Sequence, residues 1–228
     1  MPDFKDRNNV IDAGGLTGER DVITTPNLYR WLMEGKIFEA GYGLEDSAVD
    51  GEGSATVDDT TATFSLQAPA SSSLLVIPLL LKLGIVSEGG AVAFFQLMFT
   101  KPAGLCATAL TLSGTALTSK HCVYRTNPAQ TAQQATTLST VTVSSFASAA
   151  ADFVSYHRGV LADNTLTTLL PSMGSGPSNT HVFNFLEDGA PHIMTSGAAM
   201  LFYGYNAGGD TSFIAYMQWA EVTEDDLH

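Results

Sequence analysis

The strongest constraint on the fold lies near the C-terminus. Residues 198–207 (AAMLFYGYNA) and 211–222 (TSFIAYMQWAEV) are two aromatic-rich runs flanking Gly208, Gly209 and Asp210. Glycine adopts positive φ at little cost, and strand-forming runs on either side of such a cluster predict a β-hairpin. In the second run Phe213, Ala215, Met217 and Trp219 share one face, while Ile214, Tyr216, Gln218 and Ala220 share the other. A strand wetted on one side alternates more cleanly, so both faces are expected to be covered, one by a sandwich interior and one by a subunit contact. Aromatic side chains often anchor such contacts, which makes Tyr203, Tyr205 and Tyr216 the candidate interface residues.

The chain of 228 residues is 45% hydrophobic, enough for one large β domain. Only 14% of its residues are charged, against roughly 25% in an average soluble domain. No Asp or Glu occurs between Glu88 and Asp152. Depleted charge marks interface cores, and it also marks sandwiches whose exposed strand faces carry Ser and Thr. A net charge of -13 with only 10 scattered Lys and Arg argues against direct nucleic-acid binding, which needs clustered cations.

The first ten residues, MPDFKDRNNV, lack the basic start and apolar centre of a signal peptide, which argues against secretion by that route. The most apolar run, residues 74–86 (LLVIPLLLKLGIV), is shorter than the ~20 residues of a membrane helix and contains Pro78 and Lys82. It reads as a buried strand with a bulge or kink at Pro78, and no membrane span is expected.

Along the chain, residues 1–22 are polar and glycine-containing and read as an extended arm ordered by contact with another subunit. Thr25 and Pro26 start one short helix that Gly35 stops. Residues 36–42 and 60–66 read as strands around the loop 44–59. The run at 74–86 is expected to pair with 91–100 (AVAFFQLMFT) as a second hairpin. Residues 105–112 and 117–124 are expected to form a third around Ser113, Gly114 and Thr115. Residues 136–145 and 180–186 read as strands, and 146–161 are ambiguous between helix and strand. The acidic C-terminal stretch 221–228 reads as a solvated end. The whole predicts an all-β protein: residues 23–228 as a single antiparallel β-sandwich domain, with about eight to ten strands at sandwich spacing.

Chemical signatures are sparse. No G-x-S-x-G, Walker loop, H-E-x-x-H or C-x-x-C occurs, and the reading names no catalytic residue, cofactor or metal ligand. His121, His157, His181 and His192 show no ligand spacing. The carboxylates at Asp50, Glu52, Asp58 and Asp59 lack the order of a calcium loop and read as a solvated loop. Cys106 and Cys122 lie symmetrically about Gly114 and could face one another across the third hairpin; without a secretion signal they read as thiols.

The order of segments carries a resemblance. GKIFEAGYG, then TATFSLQAPASSSLLVIPLLLKLGIV, then the closing AAMLFYGYNA and FIAYMQWAEV, with short strings such as QWAEV, resembles bacteriophage virion structural proteins of the single jelly-roll type from about residue 36 to 222. The resemblance implies a non-enzymatic capsid, vertex or decoration component, made in the host cytoplasm and found in the virion. Its partners would be copies of itself, as a trimer or pentamer, and other virion proteins. The alternative is a trimeric jelly-roll module that binds a receptor or carbohydrate. A sandwich hydrolase would require acids from separate loops to converge.

Overall fold

The computed structural model describes residues 25–44, 46–54, 56–57, 61–70, 73–87, 91–107, 110–116, 119–121, 133–142, 152–162, 180–187, 192–208 and 211–227. The first element is the expected helix α1 (Thr25–Glu34). Gly35 ends it at φ 72°, and the Gly35 and Lys36 amides bond back to the carbonyls of Leu32 and Trp31. This pair of bonds is the Schellman arrangement, which satisfies carbonyls that a helix end leaves open.

The chain then forms strands β1 (Ile37–Tyr42), β2 (Val49–Asp50), β3 (Phe64–Gln67), β4 (Leu75–Ser87), β5 (Ala93–Thr100), β6 (Thr111–Ala116), β7 (Ser119–His121), β8 (Gln133–Thr142), β9 (Phe153–Ala162), β10 (Thr180–Asn184), β11 (Ala199–Asn206) and β12 (Ser212–Val222). They make two antiparallel six-stranded sheets. Sheet I runs β10-β4-β12-β1-β7, with β2 also on β12, and sheet II runs β6-β8-β3-β11-β5-β9. The fold class is therefore the all-β sandwich that strand periodicity predicts, with one α-helix among the described residues. The proposed arm, residues 1–22, and its boundary with the domain lie outside the described residues.

β4 and β12 form the centre of sheet I. Their register is regular from Phe213↔Ile85 to Gln218↔Leu80, then shifts so that Trp219 pairs with Pro78. The irregularity expected at Pro78 is this bulge, where a residue without an N–H is tolerated. The extra residue changes which side of β4 faces inward. Leu81, Leu83 and Ile85 enter the main core, while Leu75, Ile77 and Leu79 pack on the other side with Trp31 of α1, Ile37, Ala220 and Val222.

The main core fills the space between the sheets. Phe213, Ala215, Met217 and Trp219 of β12 are buried there, as their shared strand face predicts. Phe202 of β11 stacks on Phe64 at 4.7 Å and meets Phe213 of the opposite sheet edge-on at 5.6 Å. Such pairs add roughly 0.5–1.5 kcal/mol beyond the burial of their area.

The expected hairpins do not form. β11 pairs with β3 and β5 in sheet II, whereas β12 pairs with β4, β1 and β2 in sheet I. Likewise β4 belongs to sheet I and β5 to sheet II. Each glycine-rich connection thus crosses from one sheet to the other. The physical reason is burial: crossing places the apolar faces of successive strands opposite one another, as with Phe202 and Phe213. Asn206, wholly buried, secures the crossing at the end of β11. Its Nδ2 donates to the Ala91 carbonyl at 3.0 Å and the Thr211 hydroxyl at 2.8 Å, and its Oδ1 accepts from the Gly208 amide at 2.8 Å. Gly51 passes so close that a Cβ there would stand 2.8 Å from the Gly204 carbonyl oxygen.

The third expected hairpin is also absent. Ser113, Gly114 and Thr115 lie inside β6, at a bulge opposite β8, and β7 joins β1 in sheet I. The β-branched pattern continues through Gly114, so the glycine supplies a bulge instead of a turn. The ambiguous stretch 146–161 contributes strand β9.

The C-terminus is not the solvated end that its charge suggests. Glu221 and Val222 are buried, and residues Glu224–Leu227 form a 3-10 turn. The Asp226 carbonyl accepts from the Trp31 indole at 3.2 Å and from the Arg30 guanidinium. Its carboxylate accepts from Lys36 Nζ at 2.5 Å, the Thr223 amide at 2.7 Å and the Thr223 hydroxyl at 2.8 Å. Donors from the helix and its C-terminal flank hold the acid down, which local charge counting does not reveal.

Two predictions follow from these contacts. Trp219 is wholly buried, stacks on Phe38 at 6.0 Å and donates to Glu221 at 3.1 Å. Trp219→Ala should cost about 3–5 kcal/mol in chemical denaturation, enough to leave little folded protein. For the C-terminal anchor, burial alone would raise the Asp226 pKa, but hydrogen bonds from Lys36 and Thr223 outweigh it and hold it below 3.8. Its contribution is complete above that ordinary value and is lost as pH falls through the lower folded-state value. Asp226→Asn should therefore cost about 1 kcal/mol at neutral pH, the exposed side of the pair being screened. The gap from the unmodified protein should close in acid below the carboxylate range; a gap independent of pH would place the effect in packing.

Candidate functional site

The outer faces of the two sheets differ in what covers them. On sheet I, α1 covers the lower half through Trp31, Leu28 and Leu32 against Ile37, Ile77, Leu79 and Val222. The upper half stays partly open. There Ile214, Tyr216 and Gln218 are half-buried, and neighbouring Lys82 and Val182 are exposed. At the boundary lies a groove of about 420 Å³ between α1 and the sheet, lined mainly by leucines with Tyr29, Asn184 and Gln218. Tyr29 is 65% exposed and Met33 55%, so the helix presents apolar surface beside the groove.

Tyr216 sits next to this groove in a short polar chain. Its hydroxyl donates to Glu39 Oε2 at 2.5 Å and accepts from Gln218 Nε2 at 2.6 Å. The register places Glu39 directly opposite Gln218 across β1 and β12, so sheet geometry makes the arrangement rigid. A carboxylate, a phenol and an amide are thus held together on a partly open strand face.

On sheet II the outer face carries a second apolar cluster of Ala62, Met98, Phe153, Ala199, Leu201 and Tyr203, flanked by Val57, Leu110 and Leu112. Tyr203 is only 1% exposed, so the chain itself covers it and it offers nothing to a neighbour. Tyr205, two residues on, is half-buried and stacks on Phe94 with ring centroids 5.6 Å apart. The candidate interface tyrosines are therefore not brought together. Tyr216 faces out from sheet I, Tyr205 and Tyr203 from sheet II, because β11 and β12 lie in opposite sheets. Sequence reasoning missed Phe94 and Val160, which face each other in register next to Tyr205 and are 37% and 46% exposed. The alternation Phe94, Gln96, Met98 against Phe95, Leu97, Phe99 carried that signal. Gln96 on the same outer face is buried, and its Oε1 has no hydrogen-bond partner.

The titratable groups are dispersed. His192 stacks on Phe99 at 3.9 Å and lies 6.3 Å from the ring of His157; burial, then the neighbouring His157, pushes its pKa below the usual histidine value. His181 contacts the Leu161 carbonyl, and His121 has no described side chain. Among the described residues, no group of three or more His, Cys, Asp and Glu could hold a metal ion. Asp50 is exposed, Glu52 is tied through its backbone to Gly204 and Asn206, and positions 58 and 59 lie outside the described residues. No helix among the described residues is long and apolar enough to cross a membrane.

Cys106 follows a short 3-10 turn, Ala103–Leu105, and carries a free thiol. Its thiol contacts the Lys101 and Pro102 carbonyls at 3.6 Å. Burial, and then Asp152, push its pKa up, which disfavours a reactive thiolate. The hairpin that would have set it across from Cys122 does not form, and Cys122 lies outside the described residues.

No protein-family model, curated protein or solved structure matches this chain.

Proposed function

We propose that this protein is a non-enzymatic structural subunit of a bacteriophage virion, a jelly-roll building block that assembles with copies of itself. The supporting observation is strand order. Take β1, β3, β4, β5, β9, β10, β11 and β12 as eight successive strands. Sheet I then orders them sixth, third, eighth, first and sheet II second, seventh, fourth, fifth. That alternation between sheets supports a jelly roll wound from two Greek keys, to which β2, β6, β7 and β8 would be additions. The resemblance of residues 36–222 to virion proteins of this type points the same way.

The open strip of sheet I suits such a role. Ile214, Tyr216 and Gln218 are half-buried on a central strand, and the low content of charged residues, 14%, lowers the cost of burying further surface. An enzyme would need convergent acids, bases or nucleophiles, and the polar groups on this face are instead paired with one another.

Native mass measurement and electron microscopy of the purified protein test the reading: closed, regular oligomers are expected, and a monomer at every concentration would overturn it. Tyr216→Ala should keep the β-sheet circular dichroism of the parent while reducing the oligomer fraction in light scattering. Equal loss of fold would make this face internal to one subunit. Removing residues 1–22 should weaken assembly and leave cooperative melting intact, whereas loss of the melt would make the arm part of the core.

A further inference from the structure

Four leucines of the groove between α1 and sheet I, Leu28, Leu32, Leu80 and Leu186, are all half-buried. No charged residue is among the described residues that line it. The groove therefore asks for an aliphatic occupant. One of its walls is α1 itself, with Leu28 in the first helical turn. The helix starts at Thr25, so the 24 residues before it reach the domain at this wall. Of these, Val22 and Ile23 are an apolar pair close to the helix start, and residues 17–21 (TGERD) ahead of them are polar.

We propose that the chain's own Val22 and Ile23 seat in this groove, folding back against the helix that they precede. With Thr25 as the first helical residue, Leu28 is the fourth, Thr24 is the N-cap and Ile23 stands just before the cap. Apolar residues at those two places pack on one another across a helix start and fix the angle at which the chain enters. Threonine is a favoured N-cap, and Pro26 has no N–H, which leaves the Asn27 amide as the donor to its hydroxyl. The tether selects the occupant. A segment joined to the groove wall by one or two residues is held at an effective concentration of roughly millimolar order or above, which a segment of a second copy does not match in dilute solution. Residues 1–21 then set out from the outer face of sheet I, beside the strip that carries Tyr216. The inference holds for a monomer as well as for an assembled subunit.

Thiol labelling under native conditions reads the seat. In a background with Cys106→Ser and Cys122→Ser, the thiol of Ile23→Cys should be alkylated about tenfold or more slowly than that of Ile11→Cys, and dilution should leave the difference unchanged. Adding Leu80→Glu, which places a charge in the groove, should bring the two rates together while the parent circular dichroism is kept. Leu28→Ala, a milder change in the helix wall, should also speed labelling at position 23. Equal rates at positions 23 and 11 in the starting background overturn the proposal. Protection that survives both groove variants places Ile23 in another part of the molecule and overturns it too. Protection that fades on dilution gives the groove to a second copy's segment, which overturns the assignment to the same chain.

Discussion

The pairing of β4 with β12 is the interaction on which the rest of the structure depends. Both are long strands, they lie side by side in sheet I, and most of their large residues are buried on one side or the other. The bulge at Pro78 lets one strand serve two cores. Beyond it Leu81, Leu83 and Ile85 fill the sandwich; before it Leu75, Ile77 and Leu79 build the bed for α1. An ideal strand would have kept one set of side chains inward throughout, because side-chain period is two. One added residue therefore positions the helix, and with it the groove on the outer face.

Around that pair, closure is achieved by polar contacts at the ends of the sandwich. Asn206 joins the start of β5, the end of β11 and the approach to β12 through its side-chain amide. At the opposite end of β12, Asp226 receives donors from Arg30, Trp31, Lys36 and Thr223. Both residues are acceptors for amides that a turn or tail would otherwise leave open, and each spans elements far apart in the chain. The helix is thus held from below by apolar burial and from its C-terminal end by the tail.

Among the described residues, the exterior presents strand faces with distinct chemistry on the two sheets. Polar groups on sheet I, Glu39, Tyr216 and Gln218, are held in a row by cross-strand register. Sheet II hides Tyr203 and shows Phe94, Tyr205 and Val160. The proposed assembly would draw on such residues, since rigid aromatic and aliphatic side chains contribute most per residue ordered in protein contacts.

Local chemistry made several features legible in the sequence by itself. Periodicity placed Phe213, Ala215, Met217 and Trp219 together on a buried face, and Thr25, Pro26 and Gly35 bounded the helix. Proline in the apolar run marked the bulge. These depend on near neighbours along the chain, where backbone sterics and side-chain period act directly. Strand partners did not show in the sequence. A glycine-rich turn between two apolar runs has the same local composition whether the chain folds back beside itself or crosses to a facing sheet, and only the joint burial of Phe202 and Phe213 decides between them. The same decision separated Tyr205 from Tyr216, covered Tyr203, and left Cys106 without the hairpin its spacing suggested. Tertiary structure alone also turned the acidic tail inward, because the donors that hold Asp226 come from residues about 190 positions earlier in the chain.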